Sequence, residues 1–96
     1  MTKIGATEIT EIAALRQKID RLDGEIAKLL LQRARLSFAV RTRKKKIGRA
    51  VRDSAREQEI VSRYVRLTVK KGGAPAAMEA CASSILSFSR KFEPAR

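Results

Sequence analysis

The sequence predicts an all-α fold: a three-helix protomer with one long N-terminal helix, paired as an intertwined antiparallel homodimer. Three observations carry this reading. Apolar residues recur in steps of three and four along one long segment, at Ile12, Leu15, Ile19, Leu22, Ile26 and Leu29, with Leu36 and Val40 continuing in phase. Two shorter segments repeat that periodicity, and no segment shows the period-two alternation of a strand. The long seam outruns a small globule. From Ile12 to Val40 it spans about 43 Å, whereas a chain of this size folds to roughly 32 Å across. Two helices of about 27 Å each leave part of it uncovered, so a second copy is expected to cover the rest, the alternative being an extended helical monomer.

The first helix is expected from about residue 8 to residue 46. Asp23-Gly24 has the look of a turn, but the apolar phase passes through it without a slip, so the helix continues at a cost of about 1 kcal/mol for the glycine. Gly48 breaks the pattern, which places a loop at Ile47 to Arg52. The second helix opens at Asp53 or Ser54, where Ser54 and Glu57 have the spacing of a capping box. Its apolar face is Ile60, Val61, Tyr64, Val65 and Thr68, and Gly72-Gly73 ends it. Pro75 suits the first turn of a third helix, whose stripe reads Met78, Cys81, Ile85, Phe88 and Phe92. Pro94 closes the ordered part. The whole chain is expected to be one domain, 1–96, with frayed termini at 1–7 and 94–96.

Composition narrows the chemistry. The 96 residues carry 22 Lys plus Arg against 10 Asp plus Glu, a net charge of +12, with no His and one Cys. Without His there is no Ser-His-Asp or Cys-His catalysis and no His-based metal site. A single Cys forms no internal disulfide, which fits a reducing, cytoplasmic setting. No signal peptide is legible, and no apolar run approaches the roughly 20 residues of a membrane span. The basic surplus suggests an anionic partner. Its densest part is uneven: Ile26 to Arg52 contains ten bases and no acid, seven of the bases lying within Arg41 to Arg52. Alone, that run reads equally as a nucleic-acid patch or as a solvated helix end.

Several charges sit where periodicity expects apolar residues. Arg33 falls in the heptad phase of the long seam, where a guanidinium demands acceptors, either a structural partner or an anionic ligand. Lys44 lies eleven residues further, three helical turns, and so on the same face within about 20°. On the second helix Asp53, Arg56, Glu57 and Ile60 share one face, and on the third Ser89 and Glu93 have i, i+4 spacing. Helix capping accounts for Asp53 and Glu57 as readily as a functional role does. A surface pair accounts for Ser89 and Glu93.

Taken together, Arg16, Arg33, Lys44, Asp53, Arg56, Glu57 and Ser89, in this order on three helices, resemble the all-helical chorismate mutases. The resemblance runs from about Leu15 to Glu93 and rests on LRQKIDRLDGEIAKLLLQRARL, VRDSARE and SFSRKFE. The family's intertwined dimer agrees with the seam arithmetic. It implies an isomerase acting on a small dianion, chorismate, with no cofactor and no metal, in aromatic amino-acid (Phe/Tyr) biosynthesis. It further implies that Arg16 reaches the pocket in trans and that Arg16 and Arg33 hold the two carboxylates. Lys44 would bridge a carboxylate and the ether oxygen. Glu57 and the helix start near Asp53 would take the C4 hydroxyl, Arg56 would support the carboxylate end, and Ser89 the ring carboxylate. Val40, Ile60 and Leu86 would form apolar walls.

The last family position, commonly glutamine, is Glu93 here. An ionised carboxylate donates no hydrogen bond, so the expectation is that Glu93 acts protonated and that turnover favours acidic pH. Two related reactions share the scaffold. Isochorismate pyruvate lyases generally lack the acid at Glu57, whereas an amino-deoxychorismate mutase would place an amine near Glu57 and Glu93. A basic helical module binding nucleic acid is the non-enzymatic alternative, disfavoured by three Phe and one Tyr that mostly fall on apolar stripes.

Overall fold

The computed structural model describes residues 5–95. Three helices follow one another: α1 (Ala6–Lys46), α2 (Ser54–Val69) and α3 (Pro75–Lys91). No strand occurs among the described residues. Helix α1 starts two residues before the sequence-based boundary and runs unbroken through Asp23-Gly24. A Cβ at Gly24 would meet nothing within 4 Å, so this glycine answers no steric need. Residues 1–4 and 96, within the expected frayed termini, lie outside the described residues.

The two connections form by the same device. After α1, Gly48 adopts φ 71° while Arg49 N–H donates to the Lys44 carbonyl at 2.9 Å and Gly48 N–H to Lys45 at 3.2 Å. After α2, Gly72 adopts φ 90°, Gly73 N–H donates to Thr68 at 2.8 Å and Gly72 N–H to Val69 at 3.0 Å. These paired bonds close the last helical turn in a Schellman arrangement, and the left-handed residue it requires is glycine both times.

Of the two openings the sequence offers for α2, the structure takes the one at Asp53. The cap is Asp53, whose Oδ1 accepts from Arg56 N–H at 3.0 Å, and Ser54 is already helical. Glu57 therefore makes no capping box with Ser54; its carboxylate turns to two arginines instead. Asp53 already satisfies the open donor of the first turn.

The chain divides into two compact units, one ending at Leu31 and one beginning at Gln32. In the first unit no described residue is buried, and the seam residues Ile12, Leu15, Ile19, Leu22, Ile26 and Leu29 are each about half exposed or more. In the second unit α2 packs on α3. Its face Ile60, Val61, Tyr64, Val65 and Thr68 is the half-buried side of α2, as the periodicity predicts.

The third helix is phased differently from the expectation. Its buried residues are Ala82, Leu86 and Ser89; of the expected stripe Met78, Ile85 and Phe92 are half-buried, while Cys81 and Phe88 are exposed. The reading of large apolar residues weighted Cys81 and Phe88 and passed over a small alanine and a serine. Helix α1 likewise buries Ala34 and half-buries Ser37, Phe38 and Arg41 in this unit, while the seam residues Leu36 and Val40 stay exposed.

Candidate active site

Within the second unit a pocket of about 440 Å³ collects Arg33, Lys44, Asp53, Arg56, Glu57 and Ser89 from all three helices. These are six of the eight residues expected from the sequence. Val40, Ile60 and Leu86 line it as apolar walls. The anchoring contact is Arg33 Nη1 donating to Ser89 Oγ at 2.6 Å. Ser89 is only 2% exposed, so its hydroxyl is fixed in place by burial and by the arginine. No carboxylate among the described residues pairs with Arg33, which leaves its remaining donors for an anion.

Three further arginines line the pocket, to which the sequence assigns no role there: Arg41, Arg52 and Arg90. Arg41 is structural in its contacts. Its Nη1 donates to the Ser89 carbonyl at 2.6 Å and its Nη2 to Phe92 at 2.7 Å, so it satisfies open carbonyls at the C-terminal end of α3. Its guanidinium also sits 5.5 Å from the Phe38 ring centroid. The signal for Arg41 was its spacing: Ala34, Phe38 and Arg41 share a helix face that the larger seam residues obscured.

Glu57 is the acidic centre of the site. Its Oε1 accepts from Arg90 Nη1, and its Oε2 lies 3.4 Å from Arg52 Nε. Its side chain is 19% exposed, against 66% for Arg52 and 39% for Arg90. Arg56 lines the pocket while Nη1 donates to Glu59 Oε1 at 2.9 Å, an exposed pair that Arg63 shares. Such exposed pairs hold a side chain only weakly, so Arg56 remains free to turn to a ligand.

The structure does not bring the other two expected residues into this pocket. Glu93 lies beyond the last residue of α3, after the extended Phe92, and is exposed. The i, i+4 pair of Ser89 and Glu93 is therefore not formed, because the helix ends between them. Arg16 is an exposed residue of α1 in the first unit, whereas the pocket is built from the second.

The arrangement is a half-buried cationic cleft with one buried hydroxyl, one well-held carboxylate and apolar walls, suited to a small molecule with more than one anionic group. A family model described as Chorismate mutase type II matches residues 15–94, nearly the whole chain. The chain belongs to the chorismate mutase type II family. The chain has no match among curated proteins and none among solved structures. The match takes in α1 from Leu15 onward, the whole of α2 and α3, and every residue that lines the pocket. Membership in the chorismate mutase type II family makes the protein an enzyme of the chorismate mutase kind, with chorismate as the substrate the family implies. Among the described residues, no helix is long and apolar enough to cross a membrane.

Proposed function

We propose that this protein converts chorismate to prephenate, serving aromatic amino-acid biosynthesis in the cytoplasm. The observation that carries the reading is the meeting of Arg33, Lys44 and Ser89 in one cleft that also holds Glu57. The reaction is a pericyclic [3,3] shift: the ether C–O bond breaks as a C–C bond forms, with no atom gained or lost. It calls for no nucleophile, and a chain without His is equipped for it. The protein's task is to hold a flexible dianion in its reactive shape and to place positive charge where the ether oxygen becomes enolate-like.

In this reading Arg33 binds one substrate carboxylate, and Ser89, oriented by Arg33, donates to the ring carboxylate. Lys44, on the same helix face as Arg33, bridges a carboxylate and the ether oxygen. Arg56 supports the carboxylate end. Glu57, with the start of α2 at Asp53, accepts from the C4 hydroxyl. A rate gain of about 10⁶ requires roughly 8 kcal/mol, within the reach of several preorganised charge-assisted contacts together with conformational restraint.

The working enzyme in this proposal is a homodimer with antiparallel long helices. Support comes from the seam: Leu15, Ile19, Leu22, Ile26 and Leu29 are 52–62% exposed in the single chain, a contiguous apolar stripe that water disfavours. Each pocket then receives Arg16 from the partner subunit, completing the pair of arginines for two carboxylates.

The test is parallel incubation of purified protein with chorismate, isochorismate and amino-deoxychorismate, with product identification. Prephenate formed only from chorismate, and reduced about 10²- to 10³-fold by Arg33→Ala or Lys44→Ala, is the expected result. Pyruvate release from isochorismate, or rearrangement of the amino compound alone, assigns a sister reaction. No turnover of any of them overturns the reading.

A further inference from the structure

The two guanidiniums on Glu57 bear on what the pocket accepts beside it. Arg52, Glu57, Leu86 and Arg90 line the cleft described above and also a second, neighbouring groove between α2 and α3. They form the boundary between the two. Glu57 therefore presents to a ligand as the middle member of an Arg–Glu–Arg cluster rather than as a free carboxylate, and the cluster sums to +1.

We propose that Arg90 is a specificity-determining residue: it makes the Glu57 end of the pocket accept a neutral hydroxyl substituent and reject an ammonium at the same ring position. This rests on the chorismate mutase reading and deepens it. A carboxylate has about four acceptor sites. One oxygen of Glu57 takes Arg90 and the other faces Arg52, which leaves lone pairs for a substrate hydroxyl. A hydroxyl donates to one of these at no electrostatic penalty. An ammonium gains the same acceptor but enters a cleft lined by six cations, Arg33, Arg41, Lys44, Arg52, Arg56 and Arg90, against only two carboxylates, Asp53 and Glu57. Like charges brought together in a partly desolvated site are strongly unfavourable. Of the two arginines, Arg90 carries the effect. It is 39% exposed and hydrogen-bonded to Glu57, whereas Arg52 is 66% exposed and stands off at 3.4 Å, where water screens its charge.

The sequence left Glu57 and Glu93 open as a cation-binding pair for an amino substrate. With Glu93 outside the pocket and Glu57 flanked by two arginines, that pair is not assembled.

The experiment compares chorismate with its 4-amino-4-deoxy analogue in the wild type, Arg90→Leu and Arg90→Lys. The readout is the ratio of kcat/KM values, which a general loss of stability does not move. In Arg90→Leu the ratio of amino to hydroxyl substrate rises about tenfold or more, and in Arg90→Lys it stays near wild type because the charge remains. An unchanged ratio in Arg90→Leu overturns the proposal. If the wild type turns over neither compound, the catalytic reading fails, and calorimetric Kd values for the same two compounds decide the inference separately. A shifted Kd ratio in Arg90→Leu upholds it; an unshifted ratio, or no binding of either compound, overturns it.

Discussion

Arg41 Nη2 donates to the carbonyl of Phe92 at 2.7 Å, so an arginine on α1 secures the end of α3. With Nη1 on the Ser89 carbonyl, one planar fork serves two open carbonyls at the C-terminal end of α3. Arg41→Ala is expected to lower stability by about 2–3 kcal/mol, since hydrogen bonds to charged groups are among the stronger ones and two carbonyls lose a partner. Arg41→Lys recovers only part of this, because an ammonium lacks the fork. Urea midpoints at one fixed protein concentration measure it; equal midpoints for wild type and Arg41→Ala would show that the contact contributes nothing.

The start of α2 separates two capping schemes. Asp53→Ala removes the acceptor for Arg56 N–H and is expected to cost about 1 kcal/mol, with Asp53→Asn close to wild type. Ser54→Ala is expected to stay within about 0.5 kcal/mol. The reverse ranking in thermal melts would restore the capping box.

Two experiments address the seam. A charge at Leu22 or Ile26, both more than half exposed in the single chain, is expected to convert a dimer to a dissociated or unfolded chain by sedimentation. Mixing Arg16→Ala with Arg33→Ala chains is the sharper one. In a dimer with shared pockets each heterodimer regains one intact site, so random exchange restores about a quarter of wild-type activity. Inactive mixtures in which exchange has been demonstrated would exclude Arg16 in trans.

Glu93 supplies a prediction opposite to the one its family position suggests. Because it is exposed and lies past the end of α3, Glu93→Gln is expected to leave the pH dependence of kcat/KM where it is in the wild type. A profile that loses an acidic limb on this substitution would place Glu93 at the reacting ether oxygen.

Gly24 offers a stabilising change. It is mid-helix with open space around its would-be Cβ, so Gly24→Ala is expected to raise stability by about 1 kcal/mol. A fall in the melting temperature would mean that a neighbouring chain approaches closely at this point.

The sequence by itself determined the three helices, because helix periodicity, Pro75 at an N-terminus and Gly48 and Gly72 at C-termini are local signals that act within a few residues. It also determined which polar residues are out of place: Arg33 stands in an apolar phase, and that anomaly is visible without any partner. Family resemblance then grouped it with Lys44, Glu57 and Ser89, and the structure gathers these in one pocket. Only the tertiary structure decided which face of α3 is inward, since burial there falls on Leu86 together with Ala82 and Ser89, the last two being residues a hydrophobic count weights least. Only it gave Arg41, Arg52 and Arg90 their partners, because an acceptor on another element is not named by an arginine's own neighbours in the sequence. Whether Glu57 caps a helix or meets two arginines is likewise set by residues 5 positions before it and 33 after it. Local spacing fixes the helices, and contacts between residues distant in the chain fix the chemistry of the site they build.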